Sequence, residues 1–152
     1  MKWRRLFEGS AMAKDAENSG GFVFGLPADD DAIRALEQRM RIALPDEFRE
    51  IYREFDGVGV RVADDEAAWW LVPLDCIAER TAGLNESWFD DAESESLARR
   101  MVCFGDWFNG DVFGYLADED GTIHSTAIHQ YHHEVGRIEP WGRTLAEFVR
   151  NE

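Results

Sequence analysis

The clearest hydrophobic pattern in the chain lies in the segment LPDEFREIYREFDG, residues 44–57. Its apolar residues fall at positions i, i+3, i+4 and i+7: Phe48, Ile51, Tyr52 and Phe55. Pro45 lies near the first turn, where its missing N–H is not needed, and Gly57 follows the last apolar residue. The pattern predicts an amphipathic helix that buries one face.

Four other segments are predicted to form helices. In ADDDAIRALEQRM, residues 28–40, a run of aspartates precedes apolar residues at helical spacing, which suits an N-cap and the helix dipole. LDCIAERTAGL predicts a short helix that ends near Gly83, and ESWFDDAESESLARRM predicts a loop followed by a helix. TLAEFVRNE, at the C-terminus, predicts a last helix with one apolar face.

Strands are predicted where β-branched and aromatic residues alternate with other residues. VGVRVA and AWWLVPL form one pair, separated by an acidic turn. MVCFGDWFNGDVFGYLADEDG, residues 101–121, carries the turn pairs Asn109-Gly110 and Asp120-Gly121, and TIHSTAI follows it. We therefore expect a C-terminal three-stranded antiparallel meander, whereas HQYHHEVGRIEPWG, residues 129–142, is predicted to be irregular.

These elements predict an α+β fold with a mostly antiparallel sheet packed by several helices. With 152 residues, of which 45% are hydrophobic, one domain with a substantial core is expected. Residues 1–21 are predicted to be an N-terminal extension, with a small, polar linker over residues 8–21. The core is then expected to begin near Phe22, in a single domain over residues 22–152.

The charge is strongly acidic, with 31 Asp and Glu against 16 Lys and Arg and a net charge of −15. Because a phosphate backbone is bound through Lys and Arg, direct nucleic-acid binding is disfavoured, whereas a basic protein partner would be attracted. Cys76 and Cys103 form no CxxC pair, which fits a reducing cytoplasm. No apolar run is long enough to suggest a membrane span or a signal peptide.

Catalytic and metal motifs are weak in this sequence. The DEDG segment fails as a calcium loop because Leu116 and Ala127 would occupy positions that require carboxylates. His129, His132 and His133, with Glu134 beside them, are the densest candidate metal ligands, but the HExxH order is absent. No nucleophile motif or phosphate-binding glycine loop is present, so we expect no cofactor and no enzymatic activity.

The order of motifs resembles the SUKH superfamily, the Smi/Knr-like family. LEQRMRIALPDEFREIYREFDGVG resembles its helix, Leu-Pro step and second helix, and WWLVPLDCI resembles its strand and Pro-Leu step. VCFGDWFNGDVFGYLADEDG, HQYHHE and the closing EFV follow in the family's order, over roughly residues 29–150. The matching motif residues, which the resemblance implies to be structural, are Leu44, Pro45, Tyr52, Phe55, Gly57, Phe104, Gly105, Gly110 and Asp111. Arg41 and Asp56 depart from the family pattern, standing where Gly and Asn are common.

The resemblance implies a non-enzymatic protein-binding domain. Many bacterial members are immunity proteins that neutralise a cognate toxin, often a nuclease or deaminase domain, and fungal relatives regulate the cell wall through protein partners. For such a role we expect acidic residues to steer the partner and tryptophans to anchor it. The candidate residues are Asp64, Asp65, Glu66, Asp90, Asp91, Glu93, Trp69, Trp70, Trp88 and Trp107. Two alternatives stay open: a regulatory scaffold that binds an endogenous protein, and a metal-dependent hydrolase or small-ligand binder that uses residues 129–134.

Overall fold

The computed structural model describes residues 2–150, which form seven helices and one seven-stranded sheet. The helices are α1 (Lys2–Glu8), α2 (Met12–Asn18), α3 (Asp30–Met40), α4 (Asp46–Glu54), α5 (Leu74–Asn85), α6 (Ala92–Ala98) and α7 (Leu145–Val149). The strands are β1 (Phe22–Phe24), β2 (Val58–Ala63), β3 (Glu66–Leu71), β4 (Met101–Asp106), β5 (Val112–Leu116), β6 (Ala127–His132) and β7 (Arg137–Thr144).

Each strand of the sheet pairs antiparallel with the next strand along the chain, so the spatial order is β1 to β7. The α+β class and the antiparallel sheet predicted from the sequence are therefore confirmed. The join between β3 and β4 is narrow, because a single registered pair, Leu71 with Gly105, connects the two strands. On the side of this pair that leads to Trp70 and Asp106, the strands are no longer paired, which opens the sheet surface there.

Helix α4 supplies the centre of the core, as its periodicity predicts. Phe48 and Tyr52 stack with ring centroids 4.1 Å apart, and Phe48 meets Phe104 of β4 edge to face at 5.7 Å. Tyr52 is fully buried and donates its hydroxyl hydrogen to the backbone oxygen of Val72 at 2.7 Å. The hydroxyl is thus satisfied inside the apolar layer, where an unpaired polar group would be costly.

Helix α3 begins with a side-chain N-cap and ends at a residue in the left-handed conformation. The carboxylate of Asp29 accepts the backbone N–H of Ala32 at 2.7 Å, which confirms the predicted N-cap. Farther along the helix, Glu37 accepts the N–H of Leu44 at 2.9 Å and binds the guanidinium of Arg49 at 2.6 Å. This carboxylate fixes the Leu44-Pro45 step against both helices. Arg41 ends α3 in the left-handed region, with φ 58°.

The N-terminal segment differs from its prediction. Residues 8–21 were expected to form a linker and the core to begin near Phe22, but α1 and α2 are helices that pack into the core. Trp3, Phe7, Met12 and Ala16 are all buried. They form two i, i+4 pairs, one on each short helix, and that spacing brings both members of a pair onto one face.

The C-terminal meander is also longer than predicted. The third strand was placed at residues 122–128, but β6 starts at Ala127, because the preceding segment bonds to the chain after α3: Ala43 donates its N–H to the backbone oxygen of Gly121 at 2.9 Å. Residues 129–142, predicted to be irregular, contain most of β6 and β7. Pro140 lies in β7, an edge strand, where a missing N–H is tolerated.

Candidate partner-binding surface

A groove of about 1070 Å³ lies at the opening between β3 and β4, and we call it the main groove. Its floor is formed by β2 and β3, including Ala67, Ala68, Trp69 and Trp70. One wall is helix α2, and the other is the 106–110 loop that follows β4. The groove is a direct consequence of the narrow β3–β4 join, because continued pairing of the two strands would close it.

The tryptophans of the main groove are held by aromatic packing. The Trp70 ring is buried and lies 5.7 Å from the ring of Phe108, which is 46% exposed at the lip of the groove. Trp107 is half-buried and packs against Phe113 and Phe148 at centroid distances of 4.8 and 5.2 Å. Trp70 and Trp107 therefore shape the groove, and Phe108 offers the exposed ring.

The 106–110 loop is fixed by its own polar contacts. Asp106 accepts the N–H of Phe108 at 2.7 Å and is paired with the guanidinium of Arg80 on α5. Phe108 and Gly110 both adopt positive φ, at 69° and 98°. Gly110 also lies against the His133 ring, where a Cβ would approach within 2.9 Å, so this family-motif glycine is required by contact as well as by conformation.

A smaller cleft of about 430 Å³, the hairpin cleft, continues the main groove toward the β2–β3 turn. The two cavities share Ser19 and Val62, and the hairpin cleft is lined by Asp64. Asp65 and Glu66 are exposed at the same turn without lining either cavity. Val62 is 58% exposed, so an apolar side chain stands at the junction of the two cavities.

On the far side of the 106–110 loop lies a cleft of about 310 Å³, the histidine cleft, lined by Asp111, His132, His133 and Glu139 among others. Asp111 accepts the backbone N–H of His133 at 3.0 Å and bonds to its ring Nδ1 at 2.6 Å. Burial disfavours the charge of Asp111, but the hydrogen bonds from His133 and the neighbouring imidazoles outweigh it and lower the pKa of this carboxyl. Asp111 thus joins the start of β5 to the end of β6 as a carboxylate.

Next to the histidine cleft is the Trp88 cleft, about 460 Å³, with which it shares Val135 and Glu139. Trp88 is 54% exposed and Val135 50% exposed. The indole N–H of Trp88 donates to the backbone oxygen of His133 at 3.0 Å, which holds the exposed ring in one orientation. Arg137 binds Asp90 at 2.9 Å at the edge of this cleft.

The four cavities form two pairs with shared lining residues, one pair on each side of the 106–110 loop. We call the four together the acidic belt and define it by their lining residues. Among the residues that the structure describes, seven carboxylates line it: Asp15, Asp64, Asp90, Asp106, Asp111, Glu134 and Glu139. Three arginines of the same residues line it: Arg61, Arg80 and Arg137. Since two of these arginines are already paired with belt carboxylates, the belt presents a negative field interrupted by exposed apolar side chains.

The belt brings together most of the candidate residues predicted from the sequence, but not all. Asp91 lies beside it and caps α6, accepting the N–H of Ser94 at 2.7 Å, which lowers the pKa of its carboxyl. Glu93 is exposed on α6 outside the four cavities. Asp15, Val62, Phe108 and Val135 were not predicted from the sequence. Single exposed apolar residues carry no sequence signal, and Asp15 lay in the presumed linker.

The histidine cluster does not form the ligand set that a metal-dependent hydrolase requires. Within residues 2–150, no group of three or more His, Cys, Asp or Glu side chains is arranged to hold a metal ion. The histidines lie on β6 and its turn rather than on a helix, and His133 is bonded to Asp111. His129 is partly buried, and burial lowers the pKa of its imidazole.

The other motif residues support the fold. Leu44, Phe55 and Phe104 are buried, and Pro45 precedes the first turn of α4. Gly105 is packed so closely that a Cβ would overlap the Phe113 ring. Asp56 accepts the N–H of Leu74 at 2.7 Å and so caps α5, while Gly57 adopts φ 95°.

A family model, that of the SMI1 / KNR4 family (SUKH-1), matches residues 27–151. The chain belongs to this family. No match to the chain was found among curated proteins. The SUKH family is known for immunity-like proteins and consists generally of non-enzymatic binding domains. Helices α1 and α2 and strand β1 precede the matched region, although they pack on the same core.

Proposed function

We propose that this SUKH protein is an immunity protein that binds a basic toxin domain, of nuclease or deaminase type, across the acidic belt and blocks its active site. The observation that carries the proposal is the arrangement of the belt: exposed apolar side chains at Val62, Phe108, Val135 and Trp88 stand among seven carboxylates. A surface that steers by charge and anchors by aromatic groups has this composition.

Trp88 is the strongest candidate anchor. Its ring is half exposed yet held by the bond to His133, so little conformational entropy is lost when a partner covers it. Tryptophans in such positions are frequent hot spots, at about 2 kcal/mol or more of binding free energy. The carboxylates around it would raise the association rate with a basic surface.

A nucleic-acid-binding toxin supplies the complementary charge, since surfaces that bind phosphates are rich in Lys and Arg. An endogenous basic protein, bound for regulation, would use the same belt and differ only in the partner. None of the helices formed within residues 2–150 has the length and apolarity needed to cross a bilayer. The free thiols of Cys76 and Cys103 are in keeping with the cytoplasm, where we place this activity.

Co-expression with a toxin encoded by the neighbouring gene tests the proposal. The wild-type chain should rescue growth. Trp88→Ala should weaken this rescue, whereas Leu26→Ala, which removes an 85% exposed side chain outside the belt, should leave it unchanged. A purified complex should form in parallel. If the toxin kills equally with and without the chain and no complex forms, the immunity proposal is wrong.

A further inference from the structure

We propose that the main groove seats an apolar side chain of the partner flanked by Lys or Arg, and that helix α2 is the wall that selects it. This inference rests on the proposed function, because it names the part of the partner that the belt binds. It assigns a role to residues 2–21, which lie before the region that the family model matches.

Helix α2 contributes four lining residues to the main groove: Ala11, Met12, Asp15 and Ser19, counting its N-cap and C-cap. All four precede residue 27, where the family match begins. The groove is therefore completed by a part of this chain added to the matched domain. At the exposed Asp15, partner selectivity can change without altering the buried residues of the helix.

The α2 wall is fixed in place by its buried face and by the chain that follows it. Met12 and Ala16 are buried on its inner face. After the helix, Gly20 donates its backbone N–H to the backbone oxygen of Arg61 at 2.9 Å. Arg61 in turn donates its backbone N–H to the backbone oxygen of Gly21 at 3.0 Å. A wall held in this way is preorganised, so binding need not order it.

The groove chemistry defines the occupant. Ala68 lies two residues before Trp70 in β3 and so shares its strand face, where the small side chain leaves room beside the rings of Trp70 and Phe108. Such a space suits an apolar side chain. The volume lies just above the range of roughly 300–1000 Å³ that is typical of small-molecule pockets. Because Val62 and Phe108 at its margins are about half exposed, the groove is open enough for a peptide segment.

Charge complementarity specifies the residues that flank this apolar group. Asp15 is exposed on the α2 wall, and Asp64 stands where the groove continues into the hairpin cleft. On the opposite wall, Asp106 is already paired with Arg80. A cation beside the apolar side chain would therefore bind on the α2 side, near Asp15.

The test titrates the ¹⁵N-labelled 152-residue chain with three synthetic peptides, KRLWRK, EDLWDE and KRGSRK, and follows its NMR signals. We expect KRLWRK to shift the amide signals of Asp15, Val62 and Phe108. Both other peptides should bind more weakly, by a factor of about ten or larger. Absence of shifts with KRLWRK, or equal binding of EDLWDE, would overturn the inference.

A matched pair of variants on α2 isolates the selective wall. Asp15→Lys should weaken KRLWRK binding about tenfold, whereas Glu17→Lys, which makes the same charge change on the same helix outside the groove lining, should have a much smaller effect. Val62→Lys and Leu26→Lys repeat the comparison for exposed apolar residues. Equal effects within each pair would contradict selection by the groove.

Toxin rescue separates this inference from the proposed function. If rescue depends on Trp88 but survives both Asp15→Lys and Val62→Lys, the partner binds the belt without the groove, and only the present inference fails. If no toxin is neutralised but KRLWRK binds in an Asp15-dependent way, the groove inference stands and the immunity proposal fails.

Discussion

The carboxylate of Glu54, in helix α4, caps the first turn of helix α1 by accepting the backbone N–H of Trp3 at 3.0 and 3.1 Å from its two oxygens. It also accepts the N–H of Arg4 at 3.1 Å. The first N–H groups of a helix have no partner within that helix. A residue of the matched family domain thus accepts the free N–H groups of α1, the helix that precedes the α2 wall.

Replacement of Glu54 by Ala should lower the free energy of unfolding by about 1 kcal/mol, because the N–H groups lose their charged cap. Glu50→Ala is the control on the same helix, since the Glu50 carboxylate meets Lys2 at 3.9 Å with both side chains more than half exposed. Exposed pairs of this kind contribute little. Urea unfolding of both variants checks the difference, and equal losses would refute the capping role.

Replacement of Arg41 by Gly should stabilise the fold rather than destabilise it. Arg41 occupies a left-handed position, φ 58°, at the end of α3, where glycine is favoured and where the family commonly has one. Arg41→Gly should raise stability by about 1 kcal/mol, since a side chain in this region is strained. Arg39→Gly, inside the same helix, should lower it by about 1 kcal/mol. Thermal unfolding measures both, and a destabilised Arg41→Gly would contradict this account.

The helices that the sequence predicted well are those whose local signals agree with their packing. In α4, the apolar spacing, the proline at the start and the glycine after the end all favour one helix, and Phe48, Ile51 and Tyr52 are buried there. In α1 and α2, two buried residues per helix gave too short a pattern to outweigh the polar, glycine-ended composition of residues 8–21. Their helical state depends on tertiary contacts such as Glu54 with Trp3.

The β6–β7 hairpin was missed for a related reason. Strand β7 lies at the sheet edge, so few of its side chains need to be apolar, and it tolerates Pro140.

The candidate site was only partly predictable from the sequence. Exposed acidic turns and Trp88 could be named from the sequence, but the main groove depends on how soon β3 and β4 separate, a property of register that no local pattern encodes.

The bond between Asp111 and His133 should make stability depend on pH in the acidic range. The pKa of Asp111 is lower in the folded protein than its unfolded value of about 3.9, so its contribution is present above that value and lost as the pH falls through the lower folded pKa. Asp111→Asn should therefore cost about 1 kcal/mol near pH 6. The difference from the wild type should shrink below about pH 4.

Urea unfolding at a series of pH values from about 3 to about 7 measures this difference. Asp31→Asn is the control, because Asp31 is 89% exposed and pairs only with its helical neighbour Arg34 at 3.1 Å among the contacts of residues 2–150. That variant should cost about 0.5 kcal/mol or less, because an exposed pair and an exposed carboxylate in the first turn of α3 contribute little. A difference between wild type and Asp111→Asn that stays constant below pH 4 would contradict the role of the Asp111 charge.

Association with a basic partner should be fast at low salt and slow markedly as salt rises from about 50 mM to about 500 mM, because the Debye length falls below the distances over which the belt acts. Neutralising exposed acidic groups of the belt, with Asp64→Asn and Glu134→Gln together, should flatten the salt dependence of the association rate. The dissociation rate should change less, since rim charges act mainly on encounter.

The control pair, Glu17→Gln and Glu119→Gln, removes the same charge from exposed positions outside the belt. Stopped-flow measurements with a toxin that the protein neutralises in the co-expression test distinguish the pairs. The same flattening in both pairs would show that steering comes from the total charge of −15 rather than from the belt.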